Sequence, residues 1–277
     1  MSSVEQTGRP AGAFNAAIGR QVPSFHWVAF LALCRRELRR MMKMAVAFIV
    51  APALMAIIYF FCFLFGLGPE RGTPTGDAVL SYLVPGLIML SVLLRAAESG
   101  GFYLLYSKIE GHIIDELMAP VGAREAVPAY LLAGVTAGLI SGLAVWIASL
   151  FFWPLPVAHP LTAIGFVLAA ALFMALCGFL CGMASTKWDH ISAYFTFLFT
   201  PLSFLSGLFA PVDAMPATFA AIVKLNPLYH AMEGFRHGML GGAAQSPALS
   251  ALFLGIGIMA LLALAVRLYS TGWRMKS

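Results

Sequence analysis

Charge is what this chain has least of. Only 10% of its 277 residues are Asp, Glu, Lys or Arg, while 61% are hydrophobic. A soluble domain carries about 25% charged residues. The deficit excludes a surface facing mainly water and points to one facing lipid. Cysteine is also scarce. Cys34, Cys62, Cys177 and Cys181 are scattered, which excludes a disulfide framework. Cys177 and Cys181 stand four apart in an apolar run without further soft ligands nearby. They read as small packing residues rather than metal ligands. The first 24 residues have no apolar core segment, so no cleavable signal peptide is expected. Catalytic signatures are missing: there is no H-E-x-x-H and no G-x-S-x-G, and no catalytic residue is assigned. No G-x-x-x-x-G-K-[ST] phosphate loop occurs either. If ATP drives this protein, a separate chain binds it.

What is present is a series of long apolar runs. Residues 44–66 are free of charge. At 1.5 Å per residue they reach roughly 34 Å, enough for a bilayer core of about 30 Å. Further spans are expected over about 78–107, 126–153, 161–185, 191–210 and 247–269. Residues 1–23, small and polar, read as a flexible cytoplasmic tail, and 24–277 as one transmembrane domain. Residues 24–43 place aromatics first and basic residues last. Trp27, Leu31, Leu38 and Met42 can share one helix face. That predicts an amphipathic helix lying in the inner interface, or a cytosolic extension of the first span.

The net charge of +5 could suggest nucleic acid, but its distribution does not. Seven of the 17 basic residues, Arg9 to Lys43, precede the first span. Six spans put both termini on one side. That topology leaves 13 Lys/Arg inside and three (Arg71, Lys224 and Arg236) outside, with Arg95 in a span. The bias predicts a multi-pass membrane protein with both termini cytoplasmic. No nucleic-acid partner is expected; membrane lipid is.

Three constellations could carry function. Between the second and third spans, Ile109, Ile113, Ile114 and Leu117 can form an apolar ridge, decorated by Glu110, His112, Asp115 and Glu116. Such a helix could dock a cytosolic partner, or merely connect two spans. Arg95 and Glu98, at i,i+3 inside a span, share a helix face. An intramembrane charge is a functional candidate by default; the competing reading is a mutual salt bridge. His230, Glu233 and His237 fall at i, i+3 and i+7 and could hold a metal. The competing reading pairs Glu233 with Arg236, and no metal site is assigned. Gly134, Gly138 and Gly142, like Gly178 and Gly182, recur every four residues, a close-packing signal within or between protomers.

The stretch from Thr200 to Gly242 is apolar yet broken by Pro211, Pro216 and Pro227. Interrupted backbone at membrane depth is tolerated where protein buries it or where it dips through the interface. Its segments PLSFLSGLFAPVDAMP (Pro201–Pro216) and KLNPLYHAMEGFRHGML (Lys224–Leu240), with YLVPGLIMLSV (Tyr82–Val92) and IDELMAPV (Ile114–Val121), resemble the permease subunits of ABC-2 type transporters. That group includes polysaccharide, lipo-oligosaccharide and drug exporters. The resemblance runs from about residue 25 onward.

It implies an all-α fold in the bacterial inner membrane, with six transmembrane helices, an N-terminal interfacial helix and outer re-entrant helices. It implies a second copy of the permease and two cytosolic ABC ATPase subunits, which would hold ATP and magnesium; this chain needs no cofactor. ATPase coupling would fall on Lys108, Ile109, Glu110, His112, Ile113, Asp115, Glu116 and Leu117, with Lys187 and Asp189 as a smaller contact. The outer gate would involve Phe204, Leu208, Phe209, Pro211, Pro216, Asn226, Pro227, Glu233 and Arg236. Arg95 and Glu98 match no motif of the family. The expected function is ATP-driven export of an amphiphilic substrate: a lipid, glycolipid or hydrophobic compound. The alternatives are a lipid-modifying metalloenzyme using the His230 cluster, or a proton-coupled transporter using Arg95 and Glu98.

Overall fold

The computed structural model describes residues 26–43, 45–66, 73–113, 122–208, 211–242 and 246–274. The expected tail over 1–23 lies outside them. The described residues are helical and contain no strand. The long helices are α1 (Trp27–Lys43), α2 (Ala45–Gly66), α3 (Pro74–Ile109), α4 (Ala123–Leu150) and α5 (Pro160–Ala184). Two short helices follow, α6 (Trp188–Tyr194) and α7 (Thr200–Phe204), joined by a π turn over Phe195–Phe199. Then come α8 (Ala217–Lys224), α9 (Pro227–Leu240) and α10 (Pro247–Ser270).

Five helices, α2 to α5 and α10, are long and apolar enough to cross a membrane. The run expected as a fifth span, over 191–210, differs. It is helical only over 188–204 and contains the π turn, where Thr200 Oγ1 donates to the Phe195 carbonyl at 2.9 Å. Seventeen helical residues reach about 25 Å, short of a bilayer core of about 30 Å. Pro201, whose nitrogen carries no hydrogen to donate, leaves one rung of the ladder missing just after the π turn.

α3 is the centre of the bundle and packs on α4 and α5. The glycine repeats act within this protomer. A Cβ on Gly178 of α5 would lie 2.0 Å from the Ala97 carbonyl oxygen of α3, and one on Gly138 of α4 would lie 2.9 Å from that of Val92. Backbone meets backbone at both places, so only glycine fits. α2 and α10 are sparsely covered and present rows of apolar side chains outward.

α1 sorts its side chains onto two faces. Trp27, Leu31 and Met42 point away from the protein, whereas Leu38, expected on the same face, packs partly against the core. Leu33, Cys34, Glu37 and Met41 are buried on the opposite face, against α4. Glu37 is fully buried and paired with Arg36 at 2.7 Å and Arg40 at 3.3 Å. Arg36 donates to the Tyr130 hydroxyl at 3.3 Å, and Arg40 to Ser107 Oγ at 3.2 Å. This network ties α1 to α3 and α4.

Candidate functional site

The candidate residues gather mainly at the two ends of α3. At one end the helix runs out at Ile109, and the chain leaves through Gly111, whose φ of +78° lies in the left-handed region that glycine tolerates. Ile109, Glu110 and His112 are exposed. Lys108 and Ile113, expected on the same docking face, are buried. Lys108 Nζ instead donates to the carbonyls of Met183, at 2.8 Å, and Ser185, at 2.6 Å. Arg274 Nη1 donates to the Ala184 carbonyl at 2.9 Å. Two cations thus satisfy carbonyls that the end of α5 leaves without intrahelical donors. Their charge also complements the negative end of the helix dipole. Asp115, Glu116 and Leu117 lie outside the described residues. Lys187 and Asp189 are exposed at the start of α6, just beyond the capped end of α5.

The other end of α3 holds the proline-broken lip. Asn226 starts α9 as a helix cap should: its Oδ1 accepts from the Leu228 amide at 3.0 Å, and Pro227 takes the first helical position. Its Nδ2 donates to the Leu202 carbonyl at 2.8 Å, tying α9 back to α7. Farther along α9, Arg236 Nη1 pairs with Glu233 Oε1 at 2.8 Å, both side chains buried. Arg236 Nη2 donates to the Gly207 carbonyl at 3.1 Å. The guanidinium also lies over the Tyr82 ring of α3, and the Tyr82 hydroxyl donates to the same Gly207 carbonyl at 2.9 Å. Burial pushes the Arg236 pKa down.

A Cβ on Gly86 would fall 2.6 Å from the Leu208 carbonyl oxygen, so the lip backbone rests directly on α3. Leu208 is buried, Phe204 is partly open, and Pro211 and Pro216 are exposed at the bends that flank the 3-10 turn Val212–Ala214. Phe209 lies outside the described residues.

The metal constellation does not converge. Glu233 is turned to Arg236, His230 Nε2 lies 3.0 Å from the Lys224 carbonyl, and the His237 ring stacks on that of His159. No group of three potential ligands is close enough to hold a metal among the described residues. Arg95 and Glu98 are bonded to each other midway along α3. Cys177 and Cys181 are free thiols on α5.

Sequence reasoning missed Glu37 and the capping role of Lys108. A lone acid within a basic cluster was the available signal for Glu37. For Lys108 there was none, because its acceptors lie about 75 residues away.

The model of the ABC-2 type transporter family matches residues 28–240, from the second residue of α1 to the last of α9. Inner membrane transport permease YadH of Escherichia coli (strain K12) is 34% identical over 217 residues, covering 78% of this chain and 84% of its own length. Nodulation protein J of Rhizobium leguminosarum bv. viciae is 28% identical over 225 residues, covering 76% and 82%. That of Rhizobium meliloti (strain 1021) is 26% identical over 234 residues, covering 79% and 84%. With its apolar helices and both ends of α3 inside the matched region, the chain belongs to the ABC-2 type transporter family, as a multi-pass membrane permease.

Proposed function

We propose that this chain is the permease subunit of an ATP-driven exporter that moves an amphiphilic substrate out of the cytoplasm or inner leaflet. Family membership implies an ABC ATPase partner. In this reading two permease copies pair and two ATPase chains, which hold ATP and magnesium, dock at the Lys108 end. The charge asymmetry supports a cytoplasmic location for that end.

The observation that carries the reading is the continuity of α3. Its 36 residues form one helix, about 54 Å long at 1.5 Å per residue. One end presents Ile109, Glu110 and His112; the other touches the lip backbone through Tyr82 and Gly86. Force applied by a partner at the exposed end would reach the lip contact at Gly86 through continuous helix, with the interior Pro85 lying just beyond that contact. The capped end of α5 would move with it, because Lys108 joins the two.

The test is export of a fluorescent phospholipid by the permease–ATPase complex in proteoliposomes. Glu110→Ala with His112→Ala should leave insertion and ATP hydrolysis intact and abolish export. Normal export by this variant would remove the docking assignment.

A further inference from the structure

A stripe on α3 lines two adjoining chambers. Leu87, Leu94, Arg95, Glu98, Phe102 and Tyr106 follow one another at helical spacing along it. The chamber toward the lip has a volume of about 300 Å³; Met55, Leu87, Leu94 and Phe204 give it apolar walls. The chamber toward Lys108 has a volume of about 740 Å³ and a different character, with Arg40, Lys43 and Arg95 lining it beside Tyr106 and Trp188. Arg95 and Glu98 line both and stand at their junction. From Leu87 to Tyr106 the stripe measures about 28 Å, close to the bilayer core of about 30 Å.

The cations of the larger chamber are unequally satisfied. Arg40 is held by Glu37 and Ser107. Lys43 has no partner among the described residues, and Arg95 has only Glu98, to which it donates through Nη1. The rest of the Arg95 fork and the whole Lys43 ammonium are therefore available to an acceptor. A guanidinium fork fits the paired oxygens of a phosphate or carboxylate. The aromatic rings add faces suited to the region between headgroup and chain.

We propose that these chambers form a binding site for a single-headed anionic amphiphile. The headgroup sits between Lys43 and Arg95, and the chain lies in the apolar chamber beyond. Glu98 is the resident counter-ion that the incoming anion displaces from Arg95. The proposal deepens the exporter reading and rests on it for direction, but it concerns a site on this chain alone.

The distinguishing property is sign. If Arg95 and Glu98 formed only a structural bridge, losing either partner would perturb the site alike. If Glu98 competes with a ligand, its removal strengthens binding while removal of Arg95 weakens it.

The full chain, purified without ATPase into phosphatidylcholine nanodiscs, would be titrated with dibrominated phosphatidylglycerol, reading quenching of Trp188 by difference against Trp188→Phe. Phosphatidylglycerol should bind at least about tenfold tighter than equally brominated phosphatidylcholine, the equivalent of one charged hydrogen bond. Arg95→Gln should lose about that factor, Lys43→Gln should lose several-fold, and Glu98→Gln should gain several-fold. Inorganic phosphate should compete only weakly, because it lacks a chain.

Equal binding of both lipids overturns the proposal, as does a shift of Arg95→Gln and Glu98→Gln in the same direction. Competition by inorganic phosphate as strong as by unbrominated phosphatidylglycerol overturns the amphiphile assignment in favour of a free-anion site. Should Arg95→Gln fail to fold, the opposed responses of Lys43→Gln and Glu98→Gln decide the matter. Loss of export by the full complex with lipid binding retained would count against the exporter reading and leave the site standing.

Discussion

The guanidinium carbon of Arg236 lies 3.6 Å from the centre of the Tyr82 ring, 154 positions earlier in the chain, and both side chains reach the Gly207 carbonyl. This contact fastens the lip to α3, and it carries a buried charge whose counter-ion is Glu233. Removing one partner of a buried ion pair costs about 3–5 kcal/mol. Arg236→Met should therefore destabilise the detergent-solubilised protein by about that amount, read as a drop in thermal unfolding temperature. The double variant Arg236→Met with Glu233→Leu should recover much of the loss, because no orphaned charge remains. A double variant as unstable as the single one would mean that Gly207 and Tyr82, not Glu233, set the energetics.

Lys108 is the other fastening. Lys108→Met keeps the stem but releases the Met183 and Ser185 carbonyls, and should cost about 1–3 kcal/mol. Hydrogen exchange checks the location: the last-turn amides of α5 should exchange faster in Lys108→Met, while those of α9 stay unchanged. Unaltered protection there would show that Arg274 suffices as the cap.

Close backbone approach makes a sharp steric forecast. Gly178→Ala would place its methyl 2.0 Å from the Ala97 carbonyl oxygen and should destabilise by roughly 1–3 kcal/mol or prevent folding. Gly165→Ala, on the same helix but in open space, should be neutral or stabilising by up to about 1 kcal/mol. Comparison of folded yield and unfolding temperature for the two variants checks the α3–α5 packing directly.

Thiol chemistry offers a test of the α1 seat. Cys34 is buried against the bundle, and burial pushes its thiol pKa up. The thiolate is the reactive form, so N-ethylmaleimide should spare Cys34 at neutral pH in the folded protein. Cys62 lies on the outward face of the membrane-spanning α2, toward lipid rather than water, and is replaced by Ala so that it does not contribute. Raising the pH should increase Cys34 labelling only gradually, whereas denaturant should release it fully. Rapid labelling of Cys34 in folded protein would mean that α1 lifts from α4.

Much of this architecture was legible from residue pattern. Charge-free runs announce α2, α5 and α10 because lipid leaves no other solution for them. The pairings of Arg95 with Glu98 and of Glu233 with Arg236 follow from i,i+3 spacing on a helix. Asn226 and Pro227 announce the start of α9 by capping chemistry. The π turn at Phe195–Phe199 was not legible, because nothing in FTFLF distinguishes it from a regular helix. The roles of Glu37 and Lys108 were not legible for a shared reason. Their partners come from distant helices, and a charged residue near a basic cluster or a helix end resembles a surface residue until those helices are assembled. The chambers beside Arg95 likewise needed α2 and α7 set against α3.

The glycine contacts along α3 imply where slack exists in this molecule. Backbones that touch without intervening side chains cannot slide without collision, so α3, α4 and α5 must travel as one body. The pliant parts are those that lack such contacts: α2, joined to the bundle along one side, and the run through the π turn. Any widening of the chambers would be a swing of these two flaps against a stiff block, at the walls that bear Met55 and Phe204.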